Sequence, residues 1–224
     1  MLAVADRSTR EALLEQGALL FARHGVAGVT ARQLHDAIGS RNESALHYHF
    51  GDRDRLAGAI VVGHMAAIEV RRAALVEIIE GEGRTHDLRA LVRALAEPMA
   101  ADLESPLGRA HLRVVVQVSP PALAYQRPFQ VADAPSGESV VRWLHETLAD
   151  LPAGVRSERL AALRAQLISL FGLRAQLIDE QPPRPAGARS HRSVNPLFLE
   201  NLIDMLVAGL EAPPSAETLA SPGA

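Results

Sequence analysis

Apolar residues recur along this chain at helical spacing almost from end to end. Leu13, Leu14, Ala18, Leu20, Phe21 and Ala22 fall on one side of a helix that turns once every ~3.6 residues. Ser8 and Glu11 stand at capping-box spacing at its start, and Gly25 stops it after His24. A short second helix has Leu34, Ala37 and Ile38 as its apolar edge. Thr30 and Gln33 stand at capping-box spacing before it, and Gly39 ends it. Ala45, Leu46 and Phe50 mark a third short helix, with Ser40 or Asn42 as its cap. Asp52 caps a fourth, long helix and Asp54 lies in its first turn, where negative charge suits the helix dipole. Val61, Met65, Ile68, Leu75 and Ile79 recur along this helix, interrupted by Arg72, until Gly81 and Gly83.

Leu88, Leu91, Val92, Leu95, Met99 and Leu103 predict a fifth helix, and Pro106 suits the first turn of a sixth that runs to about Val118. The stretch LRVVVQV within the sixth is β-branched enough to read as a strand. No second strand-like run exists to pair with it, so helix is the better reading. Residues 119–137 are proline-rich and read as a loop. Val140, Val141, Trp143, Leu144 and Leu148 give a seventh helix, and Leu160, Leu163, Leu167, Leu170, Phe171 and Ile178 an eighth. A linker composition follows at 181–193. Leu199, Leu202, Ile203, Leu206, Val207 and Leu210 give a ninth helix. The tail 212–224 reads as disordered. The expected fold class is all-α, with about nine helices.

Composition narrows the function. The 224 residues include no cysteine, which removes disulfides, thiolate metal sites and cysteine nucleophiles. The 23 basic residues are all arginine, against 26 acids, for a net charge of −3, which argues against a non-specific polycation. A GC-rich coding bias explains the missing lysines. The physical consequence is that every cation is a planar fork suited to phosphates, carboxylates and guanine edges. The chain reaches an acid at Asp6 without the apolar stretch of a signal peptide, and no run approaches the ~20 residues of a membrane helix. A soluble, cytoplasmic protein is expected. No metalloprotease, hydrolase or phosphate-loop motif is present, so neither enzyme activity nor a cofactor is expected. His47 and His49 form H-x-H, but on a short helix they point apart with no carboxylate at ligand spacing, so no metal is expected.

Three helices within residues 8–50, the last two short and joined by a tight turn at Gly39, have helix-turn-helix anatomy. The stretches VTARQLHDAIG and HYHFGDRDRL resemble the amino-terminal signature of the TetR family of bacterial transcriptional regulators. Thr30, Arg32 and Leu34 fall on its T-x-R-x-I positions and Gly39 on its turn glycine. Leu46, His47, Tyr48, His49 and Phe50 fall on L-Y-x-H-F, Arg53 on its lysine and Leu56 on its leucine. Gly39 to Phe50 is one residue longer than the family pattern, Ser44-Ala45 replaces its small G-T pair, and His47 replaces its tyrosine.

The resemblance implies a DNA-binding domain at 1–55 and a ligand-binding and dimerisation domain at 56–211. Thr30 opens a helix N-terminus suited to a phosphate, and Arg32 and Gln33 lie in its first turn. Arg41, Asn42, Glu43, Ser44 and His47 are the polar positions around the third helix; arginine pairs with guanine and asparagine with adenine. The resemblance makes Tyr48 and Arg53 phosphate anchors. The alternatives are structural: Asn42, Glu43 and Ser44 as capping residues, and Tyr48 as a half-buried core aromatic. Residues 1–55 hold seven arginines and seven acids, so binding depends on where arginines point. Arg32, Arg41 and Arg53 are expected on the groove side, with Asp36 turned away.

The resemblance also implies a homodimer through helices near 156–180 and 194–211, and an apolar small-molecule effector bound among the fourth to eighth helices. Met65, Met99, Val115, Tyr125, Phe129 and Trp143 are candidate lining, with His111 as a polar handle; plain core packing is the competing reading. The function implied is a repressor released from a palindromic double-stranded DNA operator by that effector. An interaction or scaffold protein that has lost operator reading is the alternative.

Overall fold

The computed structural model describes residues 2–39, 44–118, 134–181 and 196–223, with side chains from Thr9 onward. The fold is all-α: the described residues form ten α-helices and one 3₁₀ helix, and no strand. These are α1 (Leu2–His24), α2 (Ala31–Ala37), α3 (Ala45–Phe50), α4 (Arg53–Gly81), α5 (Leu88–Ala100), a 3₁₀ helix (Ala101–Glu104) and α6 (Pro106–Val118). Then follow α7 (Pro135–Thr147), α8 (Ala153–Asp179), α9 (Pro196–Glu211) and α10 (Ala216–Leu219). No helix among the described residues is long and apolar enough to cross a membrane.

Several boundaries depart from the periodicity. α1 starts before Ser8, so Ser8 and Glu11 sit inside the helix and not at its start; the Leu-Ala-Val-Ala run ahead of them continues it. α3 begins after Ser44, which has helical dihedrals and makes no side-chain capping hydrogen bond; Ser40 and Asn42 lie outside the described residues. The fifth helix tightens to 3₁₀ before Leu103. LRVVVQV is helical, because Leu112, Val114 and Val115 bury on neighbouring helices and packing overrides β propensity. α7 starts at Pro135, whose fixed φ suits a first turn. The 181–193 linker lies almost wholly outside the described residues. In the tail, Ser215 caps the short, exposed α10 through the Thr218 amide at 3.2 Å.

Two cores share two helices. The head core joins Leu13 and Phe21 of α1, Val29, Leu34, Leu46 and Phe50 to Leu56 and Ile60 of α4 and Val114 of α6. The body core joins Ile68 and Ile79 of α4, Leu91 and Val92 of α5, Trp143 and Leu144 of α7, Phe171 of α8 and Ile203 of α9. α4 and α6 therefore run from one core into the other.

Arginine forks tie the helices together. Arg109 and Arg113 of α6 hold Asp179 of α8 at 2.6 and 3.2 Å. Arg93 and Arg89 of α5 hold Glu200 of α9 at 2.7 and 2.9 Å, and Arg89 also pairs with Asp204. Arg72, the polar interruption in the α4 pattern, is buried and pairs with buried Glu69 at 2.9 Å. The other Glu69 oxygen accepts the Ser136 amide at 2.5 Å, which caps the start of α7. α6 and α8 meet at Gly172, where an added Cβ would stand 2.3 Å from Val116 Cγ2, so only glycine permits that approach.

Candidate nucleic-acid interface

The candidate surface is built from α2, Gly39 and α3. Thr30 and Gln33 form a reciprocal capping box. Thr30 Oγ1 accepts the Gln33 amide at 3.3 Å, and Gln33 Oε1 accepts the Thr30 amide at 2.8 Å and the Thr30 hydroxyl at 2.9 Å. The box expected at this spacing is present, and it occupies the Gln33 oxygen. Gly39 follows α2 at φ +63°, a left-handed conformation that other side chains rarely adopt. α3 buries Ala45, Leu46 and Phe50 in the head core. It turns the other side to solvent, with Tyr48 74% exposed and His47 and Ser44 exposed. Tyr48 is thus a surface residue, its ring edge-on to His49 at 4.9 Å.

His47 Nδ1 lies 2.9 Å from the Gly51 carbonyl. A carbonyl only accepts, so Nδ1 carries the proton and Nε2 of the neutral ring is left as an acceptor. Asp52 caps α4 by accepting the Arg55 amide at 2.7 Å. Arg53 directs one nitrogen of its fork inward: Nη1 donates to the Ala27 and Val29 carbonyls at 3.0 and 3.2 Å. It thereby pins the loop that leads into α2 against the start of α4.

Charge in the head is compensated locally. Arg32, with its side chain 91% exposed, lies 3.9 Å from Asp36. Asp36 therefore shares the arginine's side of α2 and is not turned away, as the four-residue spacing places both on one face. Arg53 lies 3.3 Å from Asp54, and Arg55 lies 3.7 Å from Asp52. Arg10 sits over the Phe50 ring at 5.3 Å. Arg41, Asn42 and Glu43 lie outside the described residues. The described surface thus brings together Thr30, Arg32, Gln33, Ser44, His47 and Tyr48, with Arg53 behind them as a brace.

Two residues of the head and its support escaped the sequence reading. His35 is buried on the inner side of α2, where Ala37 was expected and is instead exposed. Among the described residues neither His35 ring nitrogen has a hydrogen-bond partner. Gln117, at the end of α6, accepts the Val26 amide at 2.8 Å and donates to the Phe21 carbonyl at 3.1 Å. It closes the end of α1 from the body side, and no spacing in the sequence connects residues so far apart.

Of the candidate effector residues, Met65, Met99 and Trp143 are buried in the body core and Val115 is buried on α6. Tyr125 and Phe129 lie outside the described residues. His111 stands apart from that core, with its ring 4.9 Å from the buried ring of His64. Burial lowers the His111 pKa. Burial, then His111 and Arg71, hold His64 down to about 3.

Comparison with known proteins points the same way as the geometry. A protein of Corynebacterium efficiens named HTH-type transcriptional repressor AcnR is 36% identical over 76 residues, 33% of this chain and 40% of that protein. Its namesake in Corynebacterium glutamicum is 36% identical over 84 residues, 35% of this chain and 44% of that protein. The chain thus spans about two fifths of the length of the curated relatives it matches. No protein-family model matches it.

Proposed function

We propose that this chain is a DNA-binding transcriptional repressor of the TetR type, with residues 1–55 as the DNA-binding head and 56–211 as the effector and dimer body. The observation that carries the reading is the α2–Gly39–α3 unit. Its inner side is locked into a head core, and its outer side offers Arg32, His47 and Tyr48 beside a capped helix start. Similarity to named helix-turn-helix repressors supports it.

In this reading α3 enters the major groove while α2 braces across the backbone. Tyr48 donates its hydroxyl to a phosphate. His47 offers Nε2 to an amino group on a base edge, such as adenine N6 or cytosine N4. Arg32 supplies a phosphate contact, released from Asp36 on binding. Arg41, Asn42 and Glu43, which precede Ser44 in the sequence, take the remaining base or capping roles, and Ser44 is left for a base or phosphate contact. Two heads in a homodimer reach successive major grooves ~34 Å apart, or a multiple of it. An apolar effector that favours a body conformation with displaced heads would weaken DNA binding by its differential affinity for that state.

A mobility-shift titration on the DNA flanking the gene tests the reading. The expected result is a palindromic site that competes better than random DNA at moderate salt. Equal competition by random DNA sinks it.

A further inference from the structure

Between the head and the body, α1 does not close fully on α4 and α6. An open cleft of about 470 Å³ lies there, outside the body core and away from the α2–α3 face. Its walls are apolar: Leu14 of α1, Ile60 of α4 and Leu107 of α6. Its polar groups come from all sides, with Glu11 and Glu15 on α1 and with His64, Asp102 and His111 opposite.

These groups are incompletely matched to one another. The His64 side chain is 2% exposed and its Nε2 has no hydrogen-bond partner among the described residues. The nearest acceptor, Asp102 Oδ2, is 3.6 Å away, too far for a hydrogen bond. Asp102 is held by Arg71, whose Nη2 lies 2.9 and 2.8 Å from its two oxygens. The polar end of the cleft thus joins an orphaned imidazole to a carboxylate that can accept a further donor. Glu11 and Glu15 make no ion pair among the described residues, whereas Asp102 has its arginine. Among the described residues the cleft therefore sets two glutamates without a cationic partner over apolar walls. His64, held neutral well below physiological pH, adds no competing cation. No group of three or more metal-ligating side chains is arranged to hold an ion among the described residues, so an organic cation fits the donors better.

We propose that this cleft binds a small amphipathic amine, its ammonium group beside His64, Asp102 and the two glutamates and its short apolar tail against Leu14, Ile60 and Leu107. Such a ligand touches α1 on one side and α4 and α6 on the other, so it bridges head and body. The assignment does not depend on DNA binding by the head.

Isothermal titration calorimetry on the full chain near neutral pH, without DNA, tests it with hexylammonium, 1-hexanol and hexanoate, three probes with one tail and different heads. Hexylammonium is expected to bind, hexanol more weakly and hexanoate least. Gly63 also borders the cleft, and a Cβ added there meets nothing within 4 Å. Gly63→Leu therefore fills the space without a clash at the backbone, and it replaces a helix-weakening glycine. It is expected to abolish the hexylammonium signal in a folded protein. Glu11→Gln with Glu15→Gln is expected to weaken hexylammonium about fivefold while leaving hexanol unchanged. Absence of hexylammonium binding, or binding that survives Gly63→Leu, overturns the site. Equal affinity for the three heads, or indifference to loss of both glutamates, overturns the amine.

Discussion

His64 is neutral in the fold because burial, His111 and Arg71 all disfavour its charge, which holds its pKa at about 3 against an ordinary 6.5. In the unfolded chain it takes a proton near the ordinary value, so between those two pH values the unfolded state binds more protons than the folded one. Stability is therefore full above 6.5 and falls as the solution is acidified toward 3, with this one residue contributing a slope approaching ~1.4 kcal/mol per pH unit. Replacing it by a group that does not titrate, His64→Asn, is expected to flatten the slope even if the variant is less stable at neutral pH. Denaturant titrations of both proteins at neutral and mildly acid pH give the comparison; parallel pH dependences would contradict it. At the same scale Arg53 and Arg32 part company. Arg53 gives Nη1 to two loop carbonyls and Nε to Asp54, a division between two nitrogens that the single nitrogen of a lysine cannot reproduce. Arg53→Lys is expected to lose DNA affinity nearly as far as Arg53→Ala, with the salt slope unchanged. Arg32→Ala, at a fully solvated position, is expected to reduce that slope by about one. Salt titrations of the mobility shift separate them, and a lysine that restores affinity would make Arg53 a charge contact.

At the scale of the element, most helices were legible because each buries an apolar stripe with helical period and begins or ends at a readable signal. Thr30, Asp52 and Gly25 act as their types predict. The failures have local causes. Ser8 resembles a cap but is preceded by residues that extend the helix, and Arg72 looks out of place until its buried partner Glu69 is seen one turn away. In the head the Thr30–Gln33 box was legible from its spacing, whereas the contact of Arg53 Nη1 with two loop carbonyls was not. The cleft was not legible, because Glu15, His64, Asp102 and His111 converge from three helices and a 3₁₀ turn with no shared spacing. Gln117 belongs to the same class. As the hydrogen-bonded closure between α6 and the end of α1, it is expected to matter to the head more than its exposed setting suggests. Gln117→Leu leaves the exposed Val26 amide to water in place of its acceptor and should cost about 0.5–1 kcal/mol. Hydrogen exchange would then be faster at Val26 than in the body core; uniform exchange across both would show the contact to be incidental.

For the whole molecule, the question is what covers the outer sides of α8 and α9. Their inner sides are well used: Leu163, Leu167 and Phe171 on α8 and Leu202, Ile203 and Leu206 on α9 enter the body core. Yet Leu173 and Leu177 of α8 are 52% and 46% exposed, and Leu197 and Met205 of α9 are 71% and 57% exposed. Large apolar side chains grouped on two neighbouring helices are costly to hydrate, and a second copy of the same surface would bury them symmetrically. A homodimer of this kind would place two heads on one duplex, which a single short α3 needs for selective binding. Leu173→Arg with Leu177→Arg sets like charges on that surface without touching either core, so the chain should fold as a monomer. In sedimentation equilibrium the parent chain is expected at twice the monomer mass and the variant at the monomer mass. In the mobility shift the variant should lose its preference for a palindrome over a half-site, while retaining weak, salt-sensitive binding. A variant that remains dimeric would place the interface elsewhere. A monomeric parent that still prefers a palindrome would break the link between these two helices and the spacing of the heads.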